Sequence, residues 1–218
     1  MKFWSHILLV LLFAGISACS DPETATEDLP DYVHIPPEIP DSVYDLLQNG
    51  DIAIRKGGGP LSYHLMNSTK EDYSHCGVVV KVDGVTRVIH TIGASASDDH
   101  TDGMQMQDLS VFVANAADSM LFFCRPIFVD SANAKVTERA YYYLNQKIPF
   151  DHGFSVFTPE NFYCTELLFY IFRDIGGKKI FDVMKKHKSY MLMFSTFFNE
   201  ENFTPLFHLK TGTNVGVQ

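Results

Sequence analysis

His75-Cys76-Gly77-Val78-Val79-Val80-Lys81-Val82-Asp83-Gly84-Val85-Thr86-Arg87-Val88-Ile89-His90-Thr91-Ile92 is the stretch on which the reading of this chain turns. Two runs rich in Val and Ile, His75 to Val82 and Thr86 to Ile92, flank Asp83-Gly84, a dipeptide that accepts the positive φ angles of a two-residue turn. The stretch reads as a β-hairpin. With Asp83 and Gly84 at the turn, Val82 opposes Val85, Gly77 opposes His90 and His75 opposes Ile92. Residues two apart share a face of a strand. His75, Gly77, His90 and Ile92 therefore lie on one face, with His75 and His90 as diagonal neighbours roughly 7–8 Å apart. Cys76, Val78, Val80 and Val82 form the opposite, apolar face. Gly77 leaves a gap among the histidines where another element can approach closely. The expectation is that a helix N-terminus bearing a cysteine comes in there.

That cysteine is Cys164, in Asn161-Phe162-Tyr163-Cys164-Thr165-Glu166-Leu167-Leu168. Phe162 to Ile175 reads as a helix with Asn161 as its cap, closed by Gly176-Gly177. A thiol is nucleophilic as thiolate, and a helix N-terminus or a neighbouring imidazolium lowers its pKa. His75 would take the thiol proton and return it to the leaving group. His90 would fix the imidazole's tautomer and orientation, and the Cys164 N–H would help hold an oxyanion. Taken singly, each residue has a plainer reading. A Cys in an apolar helix is core, a strand His is structural, His90 is a surface residue beside a loop, and Glu166 is solvated or paired in the first helical turn. Their joint occurrence moves the balance toward catalysis.

Outward from the hairpin, Asp51 to Arg55 reads as a short strand, Lys56 to Pro60 as a break and Leu61 to Ser68 as a short helix. Ser95 to Gly103 is polar and loop-like. Met120 to Val129 reads as strand with a break at Pro126, and Ser131 to Asn145 as a helix capped by Asp130 or Ser131 and ended before Pro149. The tail from Phe181 to Leu209 reads as a basic helix followed by an aromatic-rich segment returning to the sheet.

The first residues read as an address. Lys2, an apolar run from Ile7 to Ile16 and Ser17-Ala18-Cys19 have the pattern of a secretory signal, and Ile16-Ser17-Ala18-Cys19 resembles a bacterial lipobox with Cys19 lipidated. Ordinary signal cleavage is the alternative. Ser20 to Asp41 holds seven Asp or Glu and five Pro with no Lys or Arg, a composition that stays extended. The division expected is 1–18 leader, 19–44 lipidated Cys and acidic tether, and 45–218 one folded domain. The net charge of −9 excludes nucleic acid as a natural partner. Cys76 and Cys124 read as buried free thiols, with a disulfide between them the alternative in an exported protein. A metal site from His75, His90 and Asp98, Asp99 or His100 is the competing chemistry, but no close ligand spacing such as CxxC or HExxH accompanies it. No cofactor is expected, and the oligomeric state is open.

The order Leu47-Gln48-Asn49-Gly50-Asp51-Ile52-Ala53-Ile54-Arg55, Tyr73-Ser74-His75-Cys76-Gly77-Val78-Val79, Val88-Ile89-His90-Thr91, Pro149-Phe150-Asp151 and Phe162-Tyr163-Cys164-Thr165-Glu166-Leu167 resembles the circularly permuted NlpC-type papain-like cysteine hydrolases, YiiX-like branch. The likeness covers about residues 45–175. It implies an α+β papain-like fold, an antiparallel sheet packed against the helix carrying the catalytic Cys, and a His that precedes its Cys. It also implies amidase or peptidase activity with Cys164 as nucleophile and His75 as general base. The third position in permuted relatives is often a Glu; His90 occupies it here, as in lecithin–retinol acyltransferase-like members. Gly50-Asp51 shapes the strand start. Tyr163 and Ser74 are secondary candidates for oxyanion or substrate contacts. The reading is an exported lipoprotein cysteine hydrolase acting on amide bonds of cell-wall stem peptides or amino-acid amides, held to the membrane through Cys19 in the bacterial cell envelope. Alternatives are an acyl hydrolase or acyltransferase on lipid-linked substrates, and a non-catalytic binding module on the same fold.

Overall fold

A computed structural model describes residues 34, 36–97, 100–156, 158–176, 180–186, 189–210 and 213–215. The leader, Cys19, Asp98 and Asp99 lie outside the described residues. The unit His34–Gln218 runs α1 (Asp41–Leu46), β1 (Ile52–Arg55), α2 (Pro60–Thr69), β2 (His75–Val82), β3 (Val85–Ile92), β4 (Gly103–Asp108), α3 (Leu109–Ala114), β5 (Leu121–Pro126), α4 (Ala132–Gln146), α5 (Cys164–Gly176), β6 (Val183–Lys186), β7 (Ser189–Leu192), β8 (Phe203–Lys210) and β9 (Thr213–Val215). Seven strands form one antiparallel sheet in the order β4-β3-β2-β1-β5-β8-β9, and β6 and β7 pair separately.

Both faces of the sheet are covered, which explains the unbroken apolar runs Ile52-Ala53-Ile54 and Val78-Val79-Val80. On one face Ile54, Cys76, Val78, Val80 and Ile89 pack with Leu167, Leu168 and Ile171 of α5 and Val136 and Ala140 of α4. On the other, Ala53, Val79, Val88 and Phe123 pack with Leu109, Phe112 and Val113 of α3 and with Val43 of α1. The hairpin has the expected register: Val82 pairs Val85, Val80 pairs Arg87 and Val78 pairs Ile89. Asp83 (φ 51°) and Gly84 (φ 80°) take the two left-handed turn positions.

Several expectations are corrected. The polar loop ends at Gly103, where β4 begins, an unanticipated edge strand whose Met-Gln-Met-Gln alternation carries no Val or Ile. The basic helix of the tail is instead the β6–β7 hairpin, while the aromatic segment does return to the sheet as β8 beside β5. Helix α5 starts at Cys164, so Asn161 is not its cap; the Asn161 side-chain oxygen accepts from the Thr158 hydroxyl at 2.9 Å. Helix α1 lies partly within the stretch read as tether, and Val43 is fully buried. Cys76 and Cys124 are free, buried thiols.

Gly50-Asp51 is an architectural clasp. Gly50 has φ 87°, and a Cβ there would come within 2.1 Å of the Asn133 carbonyl oxygen at the start of α4, so neither the backbone angle nor the space admits a side chain. The fully buried Asp51 carboxylate accepts from Arg125 Nε and Nη2 of β5 (both 2.8 Å), Asn133 Nδ2 of α4 (2.9 Å) and the Gln48 N–H (2.7 Å). One carboxylate thus ties the β1 entry to β5 and α4. Removing one partner of such a buried pair leaves the other charge uncompensated. Asp51→Ala is expected to lower the unfolding free energy by about 3–5 kcal/mol, read from the urea midpoint, with Asp51→Asn costing less because it keeps the shape and part of the hydrogen bonding.

Candidate active site

The site forms where the β2–β3 ladder opens. Pairing between the two strands ends at Val78 and Ile89. Beyond that point Cys76 and Gly77 stay paired with β1, while His90, Thr91 and Ile92 stay paired with β4. Val79 exchanges both of its backbone hydrogen bonds with the β1 side (Val79 N–H to Asp51 O, Gly50 N–H to Val79 O). By alternation, the N–H of Cys76 points toward the place β3 has left. Into that opening comes the first residue of α5. The Cys164 thiol donates to the Ser74 carbonyl at 3.7 Å.

The turn that presents Cys164 is fastened on several sides. Phe162 exchanges backbone hydrogen bonds with Pro149 and Asp151, and its carbonyl accepts from the Thr91 hydroxyl at 3.3 Å. Thr165 donates to the Leu192 carbonyl at 3.2 Å, and the Leu192 N–H donates to the Tyr163 hydroxyl at 3.4 Å. The Ser74 hydroxyl accepts from the Gly57 N–H at 2.8 Å. The hydroxyls of both secondary candidates, Tyr163 and Ser74, are thus engaged with backbone amides of other segments, and Ser74 meets the sulfur through its carbonyl.

His75 and His90 are brought together as the hairpin register requires. Nε2 of His75 and Nδ1 of His90 share a hydrogen bond of 2.8 Å, and both rings pack on Phe112 of α3, at 5.7 and 5.9 Å between centroids. Gly77 makes this approach possible. A Cβ at Gly77 would meet Ile89 O at 2.7 Å and His90 Cβ at 2.9 Å. The space at Gly77 is therefore taken by β3, which rides over β2 there, and not by the cysteine helix; α5 packs on the opposite, Cys76 face. Imidazole and thiol do not form a hydrogen bond with one another among the described residues. They are linked through β2, because His75 follows Ser74, whose carbonyl meets the sulfur.

The electrostatics differ on the two sides of that strand. Arg55, opposite His75 in the β1–β2 ladder, is buried with its guanidinium 4.8 Å from the centre of the Phe112 ring. Burial first, and the Arg55 charge second, hold His75 well below the ordinary histidine range and push His90 down to about 3. On the sulfur side, the Cys76 thiol and the backbone N–H groups draw the Cys164 thiol down against the effect of burial, while burial pushes the Cys76 thiol up. Arg55, Phe112 and Cys76 were not read as site residues from sequence. Cross-strand pairing is the signal that finds Arg55, and adjacency to His75 is the one that finds Cys76. Glu166, read as solvated or paired, is fully buried. Among the described residues no group of three or more His, Cys, Asp or Glu is arranged to hold a metal, and no helix is long and apolar enough to cross a membrane. A cleft of 570 Å³ lies between α4 and α5, with Arg139, Tyr143 and Asp174 in its wall; none of the candidate site residues lines it.

A histidine with a depressed folded-state pKa is neutral in the fold and binds its proton more readily once unfolded. Its stabilising effect is complete above the unfolded value of 6.5 and is lost as pH falls toward the folded value of about 3. Between pH 6 and 4, His90 is expected to contribute about 1.4 kcal/mol of lost stability per pH unit. Urea unfolding of His90→Gln, which does not titrate, is expected to show a slope against pH shallower than wild type by that amount; an unchanged slope would mean His90 is not held neutral.

The chain is similar in fold to the solved structure of metalloprotein yiiX from Escherichia coli O157:H7, DUF1105, with a TM-score of 0.62 at 18% identity over 75% of this chain and 98% of that chain. No family model matches the sequence, and no curated protein does. What the likeness shows is the architecture: this chain has a YiiX-like α+β fold built on a large antiparallel sheet.

Proposed function

We propose that the protein is a cysteine hydrolase of the permuted NlpC-type papain-like kind, cleaving amide bonds through an acyl-enzyme on Cys164. The observation that carries this reading is the position of Cys164. It is the first residue of a 13-residue helix, its sulfur lies in the opening of the sheet against the Ser74 carbonyl, and its thiol is drawn below the ordinary range. The Cys164 sulfur attacks the carbonyl carbon, the amine leaves with a proton delivered by the general acid, and water then releases the acid product. His75 is the general base and acid. Donation from its Nε2 to His90 Nδ1 leaves Nδ1 as the basic nitrogen, so His90 is the orienting residue. The Cys164 N–H is the candidate oxyanion donor.

The leader pattern and Cys19 support an exported, lipid-anchored protein of the bacterial envelope, and that location favours cell-wall stem peptides or amino-acid amides as substrates. Hydrolysis is to be measured on soluble stem peptides and amino-acid p-nitroanilides, with p-nitrophenyl acyl esters as the comparison. Cys164→Ala is expected to abolish amide cleavage, and His75→Ala to lower kcat/KM by at least about 100-fold. His90→Asn is expected to cost about 10- to 100-fold in kcat with KM little changed. Full activity in Cys164→Ala would end the proposal, and cleavage of acyl esters alone would transfer it to the acyl-hydrolase class.

A further inference from the structure

Away from Cys164, helices α4 and α5 leave a cleft of 570 Å³ between them, a volume that takes a small organic molecule. Its wall carries two guanidiniums, Arg139 of α4 and Arg173 of α5, and one carboxylate, Asp174. Oδ2 of Asp174 accepts from Arg139 Nη2 and from the Tyr143 hydroxyl, both at 2.6 Å. Oδ1 accepts from Arg173 Nε at 3.1 Å and Nη2 at 2.9 Å. Each guanidinium also lies over a ring, Arg139 at 4.1 Å from the centre of Tyr142 and Arg173 at 4.5 Å from that of Tyr170. We propose that this cleft binds a small molecule bearing one carboxylate on a flat apolar body, with Arg139 and Arg173 taking the carboxylate and Tyr142 and Ile148 the body.

Charge decides the class of ligand. Among the lining side chains two cations share one anion, which leaves one positive charge over in a chain whose net charge is −9. Burial raises the Asp174 carboxyl, but hydrogen bonds from Tyr143, Arg173 and Arg139 outweigh it and hold the group below the usual carboxylate value, so Asp174 stays ionised. A carboxylate matches the surplus with its single charge, whereas a phosphate monoester, near two charges, overshoots it. Geometry points the same way. Asp174 and the two rings hold the guanidinium planes before any ligand arrives, so little side-chain freedom is lost on binding. A guanidinium has five N–H donors, and Asp174 uses only part of each set. Nε of Arg139 is buried with no hydrogen-bond partner among the described residues, so the protein itself leaves this cation under-satisfied. Tyr142 is exposed, and with Ile148 it offers the apolar surface on which a flat body rests.

The inference does not depend on the hydrolase reading. The full chain is titrated at low salt with 2-naphthoate, and binding is followed by ligand-observed NMR and by the melting temperature. Saturable binding is expected. 2-Naphthalenemethanol, the same body without the charge, is expected to bind at least about 10-fold more weakly, and 2-naphthyl phosphate to bind more weakly than 2-naphthoate. Arg173→Gln, at a half-exposed position, is expected to weaken 2-naphthoate about 10-fold with the melting temperature of the free protein little changed. Arg139→Gln is expected to do the same to binding; if it does not fold, Arg173→Gln and Tyr142→Ala carry the test. Equal binding of the alcohol and the acid, or undiminished binding in Arg173→Gln, overturns the site, and tighter binding of the phosphate overturns carboxylate as the class. Cys164→Ala is expected to bind 2-naphthoate as wild type does. Loss of binding in that variant would put the ligand at the thiol and end the proposal, while its effect on amide cleavage tests the hydrolase reading separately.

Discussion

The structure around the candidate site depends on one break in a ladder. Backbone N–H groups inside a protein have to be paired, and where β3 leaves β2 after Val78 and Ile89, Cys76 loses its strand partner on that side. The Cys164 sulfur comes into that opening, 3.7 Å from the Ser74 carbonyl. The opening therefore selects what can enter: a residue at the first turn of a helix, small enough to pass between strands. The same break frees β3 to ride over Gly77, and only a glycine permits that crossing, because a Cβ would run into the Ile89 carbonyl and His90. One departure from regular pairing thus places the histidine pair on one side of β2 and the thiol pair on the other.

Much of this was readable before any coordinates. Asp83-Gly84 between two Val- and Ile-rich runs fixes the hairpin register, because a one-residue slip would turn every side chain to the wrong face. From that register the meeting of His75 and His90 follows by counting. What counting could not give is how the sheet coils. A flat hairpin leaves the space at Gly77 empty and invites a helix into it, whereas in the twisted sheet the neighbouring strand occupies that space. The helix face was misjudged for that reason. The edge strand β4 escaped because Met and Gln carry little strand signal and its pairing comes from β3. The β6–β7 hairpin escaped because its lysines read as the polar side of a helix. Arg55 was legible only as the end of a strand, since its place opposite His75 is a cross-strand fact.

Asp51 shows a different balance between local and distant causes. The turn at Gly50 could be read from sequence as a strand start, yet the residues that make it necessary, Arg125 and Asn133, come from β5 and α4, far along the chain. The carboxylate joins three elements that lie ahead of the helix bearing Cys164. In the described structure this clasp and the fastenings of Phe162, Tyr163 and Thr165 act in sequence: the first fixes the sheet against α4, and the others fix the α5 entry against Pro149, Asp151 and Leu192. A sulfur held by one weak S–H contact to the Ser74 carbonyl keeps its place because the peptide units on either side of it are held by stronger ones.

The two sides of β2 also divide the charge. Arg55 is a buried cation beside two neutral imidazoles, and a second positive charge there would be added in a medium that solvates it poorly. The histidine pair is thereby kept as a neutral donor–acceptor chain. On the opposite side the sulfur meets the Ser74 carbonyl within the apolar cluster of the α5 face. In the proposed chemistry this arrangement differs from a resting thiolate–imidazolium pair, in which each charge depends on the other. Here the thiol keeps its proton at rest and hands it to the neutral imidazole as the sulfur attacks, so that the same proton is available for the leaving amine. Because attack needs the thiol deprotonated and the imidazole neutral, both groups set the acid limb of activity, and substitutions on either face of the strand move that same limb.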